Sequence, residues 1–224
     1  MIKRFFISSV LVVLIFLTGI SSSQSQETPF RNEIEAFKKS DSLSFPPKNA
    51  ILFVGSSSFN YWKDVASYFP GYTIINRGFG GSSLPHVIRY AEDIIFPYEP
   101  KQVLIYCGEN DFASSASVTP KDVLERFTQL YSMIRNRLPK ANIAFVSIKP
   151  SPSRQNLMPK MVEANALIRK FIKKEKNAAF IDVYNLMLNA DGSPKKEIFT
   201  GDNLHMNASG YAIWAEAIKP YLLK

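Results

Sequence analysis

The hydrophobic pattern of the chain consists of short, continuously apolar runs that alternate with amphipathic stretches of helical period. The five runs are Ile51–Val54, Tyr72–Asn76, Gln102–Cys107, Ile143–Ile148 and Ala178–Val183. Runs that are this short and apolar throughout are typical of strands buried on both faces of a parallel sheet. Because helical patterns separate them, we predict βαβ units within one three-layer α/β domain.

The clearest helical pattern covers Thr119–Leu138. Thr119 is a good N-cap residue, Pro120 suits the first helical position, and Asp122 favours the positively polarised end of a helix. Further helices are predicted over Phe30–Ser40, after Pro159 and over Gly210–Leu223. The chain therefore alternates strands and helices from about residue 30 to its end.

The N-terminal segment has the pattern of a signal peptide. Lys3 and Arg4 precede an apolar run over Phe5–Ile20, and the small and polar stretch SSSQSQE follows. This order of basic, apolar and small residues predicts export to the periplasm or the medium, with residues 1–25 removed and a mature domain over 26–224. The run is short for a membrane span, which needs about 20 residues, so we expect no stable membrane insertion after cleavage. An uncleaved anchor remains an alternative.

Composition narrows the possible partners. The formal charge of +8 falls to +6 once Lys3 and Arg4 are removed, and no dense basic run is present. We therefore expect no nucleic-acid partner. Cys107 is the single cysteine, so the chain forms no internal disulfide.

Polar residues with catalytic potential follow the predicted strands. They form four blocks, Gly55-Ser56-Ser57-Ser58, NRGFGGS over 76–82, Gly108-Glu109-Asn110-Asp111 and GDNLHMN over 201–207. The first three follow strands directly, and the fourth precedes the last helix. Active sites of parallel α/β sheets lie at the carboxyl ends of the strands, so these blocks are expected to meet there.

The residue types in these blocks suit acyl transfer. A serine hydroxyl becomes a nucleophile when a histidine takes its proton and a carboxylate orients that histidine. Asp202 and His205 are three residues apart, so one tight turn would bring the carboxylate to the ring. Glycine N–H groups and an asparagine amide can stabilise the developing oxyanion.

The four blocks, in this order, resemble the SGNH-hydrolase superfamily, also called the GDSL-like lipase/esterase family. The resemblance implies a flavodoxin-like, five-stranded parallel sheet and ester hydrolysis through an acyl-enzyme without a metal or organic cofactor. It assigns Ser57 as the nucleophile and Asp202 and His205 as its partners. Gly81 and Asn110 are assigned to the oxyanion hole.

One position departs from the family pattern. The aspartate that precedes the family's nucleophile is Ser56 in this chain, as in a bacterial subgroup with a Gly-Ser-Ser-Ser first block. The family aspartate transfers no proton, so we expect activity to survive. The departure leaves Ser56 and Ser58 as alternative nucleophiles.

Other candidate residues are assigned structural roles. We expect Cys107 to be a buried structural residue and His86 a surface residue at a helix start. A metal site at Asp202 and His205 lacks a second histidine nearby, so we expect none. By the resemblance, Asp111 orients the Asn110 loop. Arg154 lies in the loop after the fourth predicted strand, where it either contacts a negatively charged substrate or is a solvated loop residue.

The sequence thus predicts an exported serine esterase. Its expected substrate is a small-molecule or carbohydrate ester with a small acyl group, such as an O-acetylated polysaccharide. An acyltransferase that uses a sugar hydroxyl as acceptor is the first alternative. The second is an inactive carbohydrate-binding module on the same scaffold, which the replaced aspartate motivates.

Overall fold

The computed structural model of the protein describes residues 29–224, so the predicted signal peptide and its cleavage before Gln26 lie outside the described residues. Five parallel strands form one sheet in the order β2-β1-β3-β4-β5. They are β1 (Ile51–Gly55), β2 (Ile74–Gly78), β3 (Gln102–Tyr106), β4 (Asn142–Val146) and β5 (Ala178–Ile181). The predicted α/β/α fold with a five-stranded parallel sheet is confirmed.

The strand order creates one crevice at the carboxyl edge of the sheet. β1 pairs with β2 on one side and with β3 on the other, in parallel throughout. The chain therefore crosses over β1 between β2 and β3, and the direction of winding reverses there. Ligands of such sheets bind outside the strand ends at this switch point, which here separates the residues after Gly55 from those after Tyr106.

Helices cover both faces of the sheet. The α-helices are α1 (Arg31–Leu43), α2 (Ser57–Asn60), α3 (Val65–Tyr68), α4 (Leu84–Arg89), α5 (Ala91–Ile94), α6 (Glu109–Ser114), α7 (Pro120–Arg137), α8 (Met158–Ile172) and α9 (Ala208–Ile218). Short 3₁₀ turns cover Phe96–Tyr98, Pro152–Leu157, Asn185–Met187, Lys196–Ile198 and Lys219–Tyr221. No helix between residues 29 and 224 is long and apolar enough to cross a membrane.

Alternate residues of the central strands pack into two separate cores. Leu52 and Val54 of β1 face a core that α1, α4, α5, α7 and α8 cover. Ile51 and Phe53 face the other core, which includes Phe59 of α2 and Trp214 of α9. Both faces of β1 and β3 are buried, which explains why their sequences are apolar without alternation.

The observed strand ends differ from the predicted ones by one to two residues. The predicted strands include Cys107 and Ile148, but both residues lie just beyond the observed strands. Their side chains are buried although they belong to loops, so they extend the apolar runs. An apolar run cannot distinguish a buried strand from a buried loop. The last helix ends at Ile218 rather than at Leu223, because Pro220 has no N–H with which to continue the α-helical hydrogen bonds, and a short 3₁₀ turn over Lys219–Tyr221 follows.

Helix α7 begins as the sequence predicts. The Thr119 hydroxyl accepts a hydrogen bond from the Asp122 N–H, and the Asp122 carboxylate accepts one from the Thr119 N–H at 2.7 Å. This capping box satisfies two N–H groups that a helix start would otherwise leave unpaired.

Replacing Thr119 by alanine should therefore lower the free energy of unfolding by about 1 kcal/mol, because loss of an N-cap hydroxyl typically costs this much. Urea unfolding followed by circular dichroism measures the change. Thr128→Ala in the middle of α7 is the matched control, since that exposed hydroxyl donates to the Glu125 carbonyl of its own helix and caps no helix end. Equal losses in both variants would contradict the capping role.

Candidate active site

The site begins at Gly55, where β1 leaves the sheet. Gly55 has φ of 132°, and a Cβ atom placed there would lie 1.9 Å from the Tyr106 carbonyl oxygen. Its own carbonyl accepts hydrogen bonds from the Phe79 N–H at 2.9 Å and from the Ser82 hydroxyl at 3.0 Å. The Ser56 N–H donates to the Tyr106 carbonyl at 2.9 Å. Gly55 thus joins the first predicted block to the second and to β3.

The three consecutive serines occupy different environments. Ser57 is the first residue of α2 and is partly exposed, and its hydroxyl makes no hydrogen bond to any residue within 29–224. Ser56 precedes the helix and is 3% exposed, and Ser58 follows at 1%. Ser57 is therefore the member of the three whose hydroxyl is both accessible and uncommitted among the described residues.

Asn110 brings three blocks together. It is the second residue of α6, and its side-chain amide donates to the Ser82 carbonyl at 2.9 Å and to the Ser56 hydroxyl oxygen at 2.7 Å. Gly81, adjacent to Ser82, is exposed and has φ of 79°, in the left-handed region that favours glycine. The loops after β1, β2 and β3 therefore converge at this amide.

Asp202 and His205 form a hydrogen-bonded pair in the loop before α9. His205 Nδ1 lies 2.5 Å from Asp202 Oδ2. The other carboxylate oxygen accepts the N–H groups of His205 and Leu204 at 2.9 Å and the Thr200 hydroxyl at 2.8 Å. Burial opposes ionisation, but these hydrogen bonds outweigh it and hold the pKa of Asp202 well below its usual range.

Tyr61 contacts both His205 and the partly exposed Ser57. Its ring lies edge-on to the His205 ring with 4.6 Å between centroids, and its N–H donates to the Ser57 carbonyl at 2.8 Å. Tyr211 of α9 also donates to the Ser58 carbonyl at 3.0 Å, which ties the His205 side of the site to α2. Among residues 29–224, the Ser57 hydroxyl and the His205 ring share no direct hydrogen bond.

Sequence reasoning missed a buried ionic cluster beside Asn110. The Glu109 carboxylate lies 3.0 Å from Lys149 Nζ, 3.3 Å from an Arg154 nitrogen and 2.7 Å from the Tyr106 hydroxyl. Glu109 and Lys149 are 5% and 1% exposed. Burial opposes ionisation of Glu109, but the positive charges of Lys149 and Arg154 prevail and lower its pKa. Arg154 is therefore a partly buried partner of Glu109 rather than a fully solvated loop residue.

The remaining candidates have structural environments. Asp111 is fully buried, accepts the Leu84 N–H at 3.0 Å and pairs with Arg126 at 2.8 Å, which agrees with an orienting role. His86 is half-buried, and its Nδ1 accepts the Ser83 N–H at the start of α4. Cys107 is completely buried, and burial raises the pKa of its thiol.

The sequence as a whole decides the family. The model of the family described as GDSL-like lipase/acylhydrolase matches residues 41–213. The chain belongs to this family. GDSL-like lipases and acylhydrolases cleave ester bonds, so the predicted resemblance and the class of reaction are supported together. No curated protein matches the chain by sequence.

Solved structures share the fold of this GDSL-like chain at low sequence identity. A Streptococcus pneumoniae protein provisionally described as a platelet activating factor has a TM-score of 0.75 and 21% identity, covering 86% of this chain and 92% of its own. A GDSL-like lipase from Bacteroides thetaiotaomicron has a TM-score of 0.72 and 18% identity, covering 84% of this chain and 96% of its own. The acetylxylan esterase Axe2 of Geobacillus stearothermophilus has a TM-score of 0.64 and 15% identity, covering 77% of this chain and 93% of its own. Likeness at these identities demonstrates a common fold.

Replacing Glu109 by glutamine should destabilise this GDSL-like domain by about 3–5 kcal/mol, because it leaves Lys149 buried without its counter-charge. Urea unfolding at pH 7 measures the loss. Glu163→Gln on the exposed face of α8 makes the same chemical change without a buried partner. A loss no larger than that of the control would contradict the importance of the buried pair.

Stability should also depend on pH through Asp202. Its folded pKa lies below the unfolded value of about 3.9, so the ionised carboxylate stabilises the fold at every pH above that value. This contribution is lost as the pH falls below about 4 towards the folded pKa. Wild-type protein should exceed Asp202→Asn in stability at pH 7, and the difference should shrink between pH 4 and pH 2 in urea unfolding. A difference that grows in acid would contradict the expectation.

Proposed function

We propose that this protein is a serine esterase that cleaves small acyl esters through an acyl-enzyme intermediate. The observation that carries the proposal is the hydrogen-bonded pair of Asp202 and His205. The His205 ring packs against Tyr61, and Tyr61 lies one helical turn after Ser57, whose hydroxyl is uncommitted among the described residues. A nucleophile, a base and a group that orients the base are the parts that acyl transfer by serine requires.

In the proposed reaction, the Ser57 hydroxyl attacks the ester carbonyl while His205 Nε2 takes its proton. Asp202 keeps the proton of the ring on Nδ1 and supports the imidazolium that forms. The tetrahedral intermediate collapses, and His205 gives its proton to the departing alcohol. Water then attacks the acyl-enzyme with His205 again as base, which releases the acid and restores Ser57. These reaction steps require no metal or organic cofactor.

The negative charge of the tetrahedral intermediate needs donors near Ser57. We assign the N–H groups of Ser57 and Gly81 and the side-chain amide of Asn110 to this role. Support comes from the Asn110 amide, which contacts both the residue before Ser57 and the residue after Gly81. Loss of one such donor typically lowers kcat by about 100–1000-fold.

The proposed substrate is a carbohydrate that carries O-acetyl groups. Axe2, whose fold this chain shares, is an acetylxylan esterase. A surface depression beside the catalytic pair is lined mainly by polar side chains, among them Gln155, Lys196 and Asn203. Such groups suit the hydroxyls of a sugar better than a long acyl chain.

We further propose that the mature enzyme comprises residues 26–224 and acts outside the cytoplasm. Support comes from the basic, apolar and small-residue order of the first 25 residues. Export would bring the enzyme to the acetylated polysaccharides of an envelope or of the surroundings.

A serine-directed phosphonate followed by peptide mass mapping tests the nucleophile. We expect the label on Ser57, together with hydrolysis of p-nitrophenyl acetate. Ser57→Ala should lose the label and lower kcat by at least about 10⁴-fold, as removal of a nucleophile does in serine hydrolases. Ser58→Ala is the matched control and should retain both, whereas His205→Ala should lose the label. A label on Ser56 or Ser58 would refute the assignment.

Substrates of different kinds separate the rival functions. An esterase for small acyl groups should release acetate from acetylated xylo-oligosaccharides and should favour p-nitrophenyl acetate over the octanoate. Product that forms only when a sugar acceptor is present would identify an acyltransferase instead. A folded protein that is inert to every ester and to the phosphonate would refute the esterase and favour the binding module.

A further inference from the structure

Ser56 occupies a capping position but does not cap. It precedes α2 with extended backbone angles, φ −94° and ψ −167°, as an N-cap serine does, yet its hydroxyl accepts no hydrogen bond from the helix. The hydroxyl oxygen instead accepts the Asn110 amide at 2.7 Å, in a residue that is 3% exposed. The side chain therefore serves Asn110 rather than the helix.

Both N–H groups of the Asn110 side-chain amide are already engaged in hydrogen bonds. An amide nitrogen carries two N–H groups, and here one donates to the Ser82 carbonyl and the other to the Ser56 hydroxyl. Asn110 can donate to an oxyanion only if one of these bonds is shared or exchanged. A role for Asn110 in the reaction therefore requires that one acceptor give way.

Ser56 is the acceptor that can give way. The Ser82 carbonyl is fixed in the backbone of a residue that is fully buried, and the Ser82 hydroxyl bonds to Gly55. The Ser56 hydroxyl rotates about a single bond. A hydrogen bond to an oxyanion is charge-assisted and roughly twice as strong as one between neutral groups, so exchange of Ser56 for the oxyanion is favourable.

We infer that Ser56 is a positioning residue for the reaction proposed above: its hydroxyl holds the Asn110 amide in the free enzyme and yields that N–H to the oxyanion as the tetrahedral intermediate forms. The inference rests on the proposed esterase function. It gives a role to the position at which this chain departs from the family aspartate. A neutral acceptor there holds the amide in place without competing with the oxyanion as a carboxylate would.

Without the Ser56 hydroxyl, the amide keeps only its bond to Ser82 and can turn away from the oxyanion. An amide that is no longer oriented in advance donates less well to the oxyanion in the transition state, so kcat should fall while KM stays nearly constant. We expect Ser56→Ala to lower kcat by about tenfold, less than the 100–1000-fold expected for loss of the Asn110 amide itself.

A double-mutant cycle on p-nitrophenyl acetate hydrolysis tests the inference. The cycle compares wild-type protein, Ser56→Ala, Asn110→Ala and the double variant. Because Ser56 acts through Asn110, Ser56→Ala should cost less than twofold once Asn110 is replaced. Ser56→Thr keeps the hydroxyl and should restore most of kcat. Ser58→Ala, a buried serine two positions along the chain, should leave kcat unchanged.

Several outcomes overturn the inference, and each identifies what has failed. Losses that add in the double variant, an unchanged kcat in Ser56→Ala, or a change confined to KM would overturn it alone. An active wild type with an unimpaired Asn110→Ala would overturn the oxyanion assignment as well. An inert wild type would overturn the proposed function. Should Ser56→Ala not fold, Ser56→Gly replaces it in the cycle, because glycine is nearly as good as serine before a helix.

Discussion

The candidate site depends on the close approach of two strand ends, β1 at Gly55 and β3 at Tyr106. The space for a Cβ atom at residue 55 is already taken by the Tyr106 carbonyl oxygen. Any side chain there would push β1 away from β3 and break the bonds through which Gly55 holds Phe79 and Ser82. The start of α2, the loop after β2 and the end of β3 share one backbone junction, so their relative positions are set together.

Buried ion pairs hold the backbone on both sides of Asn110. Glu109 precedes it and pairs with Lys149 and Arg154, while Asp111 follows it and pairs with Arg126. Both carboxylates are buried, so each pair is costly to break and resists displacement. For the oxyanion role proposed for Asn110, a backbone that is held in this way lowers the free energy lost to reorganisation during the reaction.

Local patterns in the sequence were sufficient for the α/β class and for the gathering of polar blocks, whereas the flavodoxin-like sheet came from the family resemblance. Short apolar runs predict strands wherever both faces of a sheet are buried, and the start of α7 at Thr119 follows from capping chemistry. The cluster at Glu109 had no such signature. Lys149 lies forty positions away in a loop, and pairing of side chains across loops has no period that a sequence displays. The bond from Asn110 to Ser56 was hidden for the same reason.

The single cysteine has a consequence for where the protein can work. Cys107 is sealed in the core beside the site, and its raised pKa keeps the sulfur as the unreactive thiol. The chain therefore needs no oxidant to complete its fold, and it offers no accessible thiolate for mixed disulfides or for peroxide. The fold does not depend on redox potential and would be the same in a reducing compartment and in an oxidising one.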